Sequence, residues 1–107
     1  MFEIRESDWK VLRRVKAVAL DRFCQDALAI IQKASAEKAG TAHERYRNVF
    51  RLIESEDRKM ASIFDDIRRS NAVTHLVSMR AAGLVTDEEY ADFSQEIRDV
   101  VDRMQTS

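Results

Sequence analysis

Proline is absent from this chain of 107 residues, glycine occurs twice and cysteine once. Each scarcity excludes something. With only Gly40 and Gly83 available, almost nothing is present to make the turns of a small β fold, so an all-α fold class follows before any periodicity is counted. Cys24 has no partner for an intrachain disulfide, which agrees with a reducing, cytoplasmic setting. No run of about 18 apolar residues exists to cross a membrane. The start, Met1 to Glu6, has no basic segment followed by an apolar one, and the end, Gln105 to Ser107, matches no lipidation box. What is present is an apolar fraction of 45%, too high for a disordered chain. No repeat, linker or low-complexity run divides it, so the sequence reads as a single helical domain over residues 1–107.

The net charge of −1 conceals a division. Residues 1–82 carry sixteen Lys/Arg against twelve Asp/Glu, whereas residues 83–107 carry two against seven, giving parts at +4 and −5. The acidic tail is expected to fold back over arginines upstream or to reach those of a second subunit.

A first helix is predicted over about 7–38. Ser7 reads as its N-cap, Asp8 suits the helix dipole, and Leu12, Val15, Ala19, Phe23, Ala27, Ile30 and Ala34 recur every three or four positions. Gly40 reads as its C-terminal stop. Thr41 with Glu44 forms a capping box that opens a second helix over about 41–69. Its face of Tyr46, Val49, Phe50, Ile53, Met60, Phe64 and Ile67 is interrupted only by Asp57. The phase shifts near Ser70 and Asn71, which predicts a break and then shorter helices over about 71–82, 86–93 and 94–105. Gly83 followed by Leu84 is a stop signal, Thr86 with Glu89 a second capping box, and Ser94 an N-cap.

The two long helices would measure about 46 and 42 Å at about 1.5 Å per residue. A compact domain of this length is a sphere only roughly 34 Å across. Either one of the helices kinks, or the molecule is a long antiparallel hairpin, its apolar flanks covered by the C-terminal helices and by a second copy of the chain; the hairpin is the expectation. Folding back through Gly40 brings Ile30 to Val49, Ala27 to Ile53 and Val15 to Phe64. The same register sets Arg22 opposite Asp57, which predicts a partly buried structural ion pair between them.

Chemistry-bearing patterns are sparse. His43 and His75 have no His or Cys at ligand spacing, no di-iron or His-Glu-x-x-His pattern occurs, and neither a nucleophile elbow nor a glycine-rich phosphate loop is present. No catalytic, cofactor-binding or metal-binding residues are expected, and Cys24 reads as a small core residue. Glu54 to Asp57, adjoining Arg58 and Lys59, reads as a solvated helix surface. Arg47, Arg51 and Arg58 share one side of the second helix, and Arg68 and Arg69 follow; these five are the candidates for binding an anion or a partner. A helix-turn-helix about Gly83 would present Asp87, Glu88 and Glu89 to groove phosphates, which repel them.

The runs Lys10 to Cys24, His43 to Tyr46, Phe64 to Ser70 and Gly83 to Glu89 resemble a group of short all-helical bacterial proteins of unassigned function. That resemblance implies a self-contained helical domain and supplies no activity. Residues 79–93 are similar to the short helical hairpins that serve bacterial proteins as oligomerisation tails, which implies self-association through that segment. The expectation is thus a non-enzymatic, self-associating protein-protein interaction module, a homodimer that binds a further protein. The alternative is a nucleic-acid-associated regulator using the arginine-rich hairpin surface.

Overall fold

The computed structural model describes residues 3–106; Met1, Phe2 and Ser107, which belong to the chain ends read above for targeting signals, lie outside it. Five helices follow one another: α1 (Glu6–Ala36), α2 (Ala42–Phe64), α3 (Ala72–Ala81), α4 (Asp87–Ala91) and α5 (Gln95–Thr106). No strand occurs among the described residues. The chain measures 54 × 25 × 25 Å with a radius of gyration of 16.9 Å, against about 13 Å for a compact domain of this length. The elongated hairpin expected from helix length is therefore the observed shape.

Local signals account for most boundaries. Thr41 Oγ1 accepts the Glu44 N–H at 3.1 Å while Glu44 Oε1 takes the Thr41 N–H, and Thr86 with Glu89 repeats this box at α4. Gly83, at φ +74°, donates its N–H to the Arg80 carbonyl, and Leu84 donates to that of Met79, both at 3.0 Å. Those two bonds satisfy the free carbonyls at the end of α3. Ser94 caps α5, its Oγ accepting the Ile97 N–H at 3.3 Å.

Three helix ends differ from expectation. Ser7 lies inside the first turn of α1, whose N-cap is Arg5 without a side-chain bond, and α1 ends at Ala36, leaving Gly40 (φ +87°) to the link rather than the helix stop. Helix α2 stops at Phe64 instead of continuing to about residue 69. Asp66 adopts φ +59°, a left-handed conformation that short acidic side chains tolerate better than most. Asn71 closes the loop on itself, accepting the Arg68 N–H at 2.7 Å and donating to the Asp66 carbonyl at 2.9 Å. Periodicity could not register this, because Ile67 keeps the apolar phase and still packs against the core. His75 Nδ1 lies 2.7 Å from the Ile63 carbonyl, which can only accept, so Nδ1 carries the proton and satisfies one of the last carbonyls of α2.

The core occupies one end of the hairpin. Leu12, Val15 and Ala19 of α1 meet Leu76 and Met79 of α3, Phe93, and Ile97 and Val101 of α5, all at most 2% exposed. α3 and α5 lie side by side, and α4 carries Tyr90, whose hydroxyl donates to Asp102 Oδ1 at 2.7 Å while Arg80 stacks 3.8 Å from the ring centroid. The expected register of the long helices holds near the link, where Arg45 Nη2 donates to the Ser35 carbonyl. At the core end Phe64 lies in the same buried cluster as Val15, and its ring also meets Phe23 edge-on, centroids 6.1 Å apart. Long side chains lean toward the N-terminus of their own helix, so in an antiparallel pair these two rings converge across an offset of backbone.

Candidate interaction surface

Between Ala19 on α1 and Phe64 on α2, Glu56 is the single residue in the buried class. The outer part of the hairpin thus has no fully buried apolar side chain, although its sequence is apolar on the inward faces. Leu28 (58%), Ile30 (46%), Tyr46 (69%), Phe50 (52%) and Ile53 (45%) remain exposed there. Helices of this length draw most of their stability in water from packing an apolar face, so these residues mark where packing is unfinished.

The hairpin has two unlike flanks. On the side of the C-terminal helices, a groove of about 600 Å³ is lined by Phe23, Ile30, Ile63 and Leu84 but also by Asp26, Ser55, Arg58, Lys59 and Ser62. The opposite flank has a groove of about 320 Å³ formed by Phe23, Cys24, Ala27, Leu28, Ile31, Ile53 and Met60, with Glu56 and Asp57 as its only charged members. Tyr46 and Phe50 continue this second stripe toward the link at spacings of seven and three residues from Ile53. Cys24 is half-buried in this groove instead of in the core.

The expected Arg22–Asp57 pair does not form. Arg22 gives two hydrogen bonds to Glu89, at 2.6 and 2.9 Å, and one to the Leu84 carbonyl at 2.8 Å; Asp57 is exposed. The competing acid sits 67 positions away, held in place by the Thr86 capping box and the Gly83 turn, which make Glu89 a pre-formed two-oxygen acceptor. Arg14 with Asp92 at 2.7 Å, Arg5 with Glu96 at 2.5 Å and Arg80 with Asp87 at 3.5 Å join the same two charge classes. The acidic tail folds back on upstream arginines of its own chain, as one branch of the charge-division argument expected.

The Glu89 carboxyl is lowered from 4.5 to about 2, first by the Arg22 hydrogen bonds and then by the Thr86 N–H, against a burial effect that raises it. A depressed carboxyl stabilises the fold fully above its unfolded value and loses that contribution as pH falls toward the folded one. The wild-type chain is therefore expected to lose stability between pH 4.5 and about 2 through this group, a loss that Glu89→Gln removes. At pH 7 Glu89→Gln is expected to cost about 1–2 kcal/mol, read as a lower urea midpoint.

The five candidate arginines do not gather. Arg68 is taken by Asp66 at 2.9 Å, and Arg69 by Glu6 at 2.9 Å with its guanidinium 5.3 Å from the Trp9 ring centroid. Arg47 and Arg51 share a small polar depression with Glu44 and Asn48, and Arg58 borders the mixed groove. Residues 79–93 turn Met79, Leu84, Val85, Tyr90 and Phe93 into the core, so the segment likened to an oligomerisation tail spends its apolar side chains within its own chain. Among the described residues no three His, Cys, Asp or Glu side chains cluster as a metal site, and no helix is long and apolar enough to cross a membrane. Comparison with protein-family models, with curated proteins and with solved structures finds no match to this chain.

Proposed function

We propose that this protein is a non-enzymatic helical interaction module that self-associates as a homodimer through the apolar flank of its hairpin. The observation that carries this reading is the uncovered stripe of Leu28, Tyr46, Phe50 and Ile53 on an arm without a core of its own. Aromatic side chains offer about 150–250 Å² each, so Tyr46 at 69% and Phe50 at 52% alone retain roughly 200 Å² or more. With Leu28 and Ile53 the patch approaches about 500 Å², the upper part of the range for the largest patch on a monomer. Two such patches, with their polar rims, reach the lower end of specific interfaces at about 1,200 Å².

Light scattering behind a sizing column, run from about 1 to 100 μM, is expected to show a monomer-dimer equilibrium in this range. Phe50→Glu is expected to hold the mass at one chain while far-UV circular dichroism keeps its helical signal. A wild-type chain that stays monomeric at the upper concentration overturns the proposal. The hairpin's exposed arm is also the surface left for a further protein partner, since the core end is closed by α3, α4 and α5.

A further inference from the structure

Along α2, Tyr46, Phe50, Ile53, Asp57, Met60 and Phe64 recur at alternating spacings of four and three. That is the seam of a coiled coil, in which each seam residue enters a hole on a facing helix. Phe64 is buried within the chain and Met60 half-buried, but Tyr46, Phe50, Ile53 and Asp57 are exposed. Asp57 stands in this seam with no ion pair among the described residues, now that Arg22 is committed to Glu89. A lone charge closed into an apolar seam is costly unless the facing helix supplies its partner, and single polar seam residues are the usual means of fixing register.

The edge of the seam carries charge in order. Arg47 precedes the Phe50–Ile53 centre and Glu54 and Asp57 follow it, and none of the three has an ion-pair partner among the described residues. The stripe therefore runs from positive to negative about its own midpoint. A second copy turned end for end meets it with charges reversed; a copy laid parallel does not.

We infer that two copies pair by a two-fold, antiparallel α2–α2 contact centred between Phe50 and Ile53, with Asp57 of each receiving the Arg47 guanidinium and the Tyr46 hydroxyl of the other. This rests on the self-association proposed above and fixes its geometry. Phe50 then packs on Ile53 of the second copy, and the two bare grooves close over one another as a four-helix arm. The competing arrangement, with the links at the same end, lays α2 against α1 of the second copy. There Asp57 would face a stripe of Cys24, Leu28 and Ile31, none of which neutralises it.

Mixing two variants tests this. In the antiparallel dimer, Arg47→Glu places two acids together at both contacts, and Asp57→Arg places two arginines together at both. Each variant alone is expected to dimerise at least about tenfold more weakly than wild type by sedimentation, with helicity unchanged. Mixed in equal amounts they form a heterodimer in which both contacts again join opposite charges. The mixture is expected to recover the wild-type dissociation constant within about threefold, with one copy of each variant per dimer by native mass spectrometry. A wild-type dimer that neither substitution weakens, or a mixture that stays as weak as its components, overturns this geometry while leaving self-association standing. A monomeric wild type overturns the self-association itself.

Discussion

A Phe93→Ala chain is expected to lose about 3–5 kcal/mol of unfolding free energy, a large share of the roughly 5–15 kcal/mol that a domain possesses. Phe93 is 2% exposed and lies in the short link between α4 and α5, its ring 6.4 Å from that of Tyr90. It belongs to the cluster that joins α1, α3 and α5, and among the described residues no second buried cluster lies along the hairpin to compensate. Truncation leaves a cavity as well as removing apolar area, and the neighbours Ile97, Leu76 and Met79, all fully buried, have little freedom to collapse into it. Urea denaturation at one fixed protein concentration measures the loss, because the proposed dimerisation would make the midpoint depend on concentration. A midpoint within experimental error of wild type would show that the C-terminal helices are not what holds the hairpin's base.

That concentration of the core at one end explains why the molecule divides into a stable base and an arm. Between its two ends the inward face of α1 passes from Leu12, Val15 and Ala19, each at most 1% exposed, to Leu28 at 58%. Local opening is easiest where few apolar contacts and many solvent-facing backbone bonds coincide, so amides of the arm exchange sooner than those around Val15 and Ile97 in the monomer. Dimerisation through the arm would order the part of the chain that its own core leaves untouched. In the proposed dimer, interaction and stability would occupy opposite ends of the same two helices.

Signals that act within a few residues were legible in the sequence. The Thr41–Glu44 and Thr86–Glu89 boxes, the Gly83 stop and the Ser94 cap each depend on neighbours in the chain, and each forms. The elongated shape was legible too, because helix length against domain diameter needs only residue counting. Asp57 was misread for an instructive reason. An acid breaking an apolar stripe predicts a buried partner, but the stripe itself does not say which chain supplies the opposite face. Periodicity likewise could not reveal that Glu89 would outcompete Asp57 for Arg22, since that pairing spans 67 positions and depends on how the tail docks. The split of charge between the first 82 residues and the tail was the one signal that pointed there.

Asp8 is the clearest residue whose role escaped the sequence, and its loss is expected to cost about 2–4 kcal/mol. At 3% exposure its carboxylate accepts the Ser94 backbone N–H at 2.8 Å and the Ser94 hydroxyl at 2.7 Å. It therefore fastens the first turn of α1 to the cap of α5 across 86 positions of chain. Asp8→Ala removes both acceptors and strands a part-buried amide, which costs more than the bond itself contributes. Asp8→Asn keeps an oxygen for the Ser94 N–H and can turn its NH₂ toward the Ser94 hydroxyl, which is able to accept, so it is expected to lose only the charge assistance of the two bonds and to cost about 1 kcal/mol. Ser94→Ala loses the hydroxyl bond and the cap yet leaves the backbone N–H bond to Asp8, and about 1–2 kcal/mol is expected. The double variant Asp8→Ala with Ser94→Ala should then cost less than the two singles together by about 1 kcal/mol, the coupling that a shared bond leaves in a double-mutant cycle. Strict additivity would show that the two residues hold the helices independently, and an Asp8→Asn chain as stable as wild type would remove the charge from the clamp.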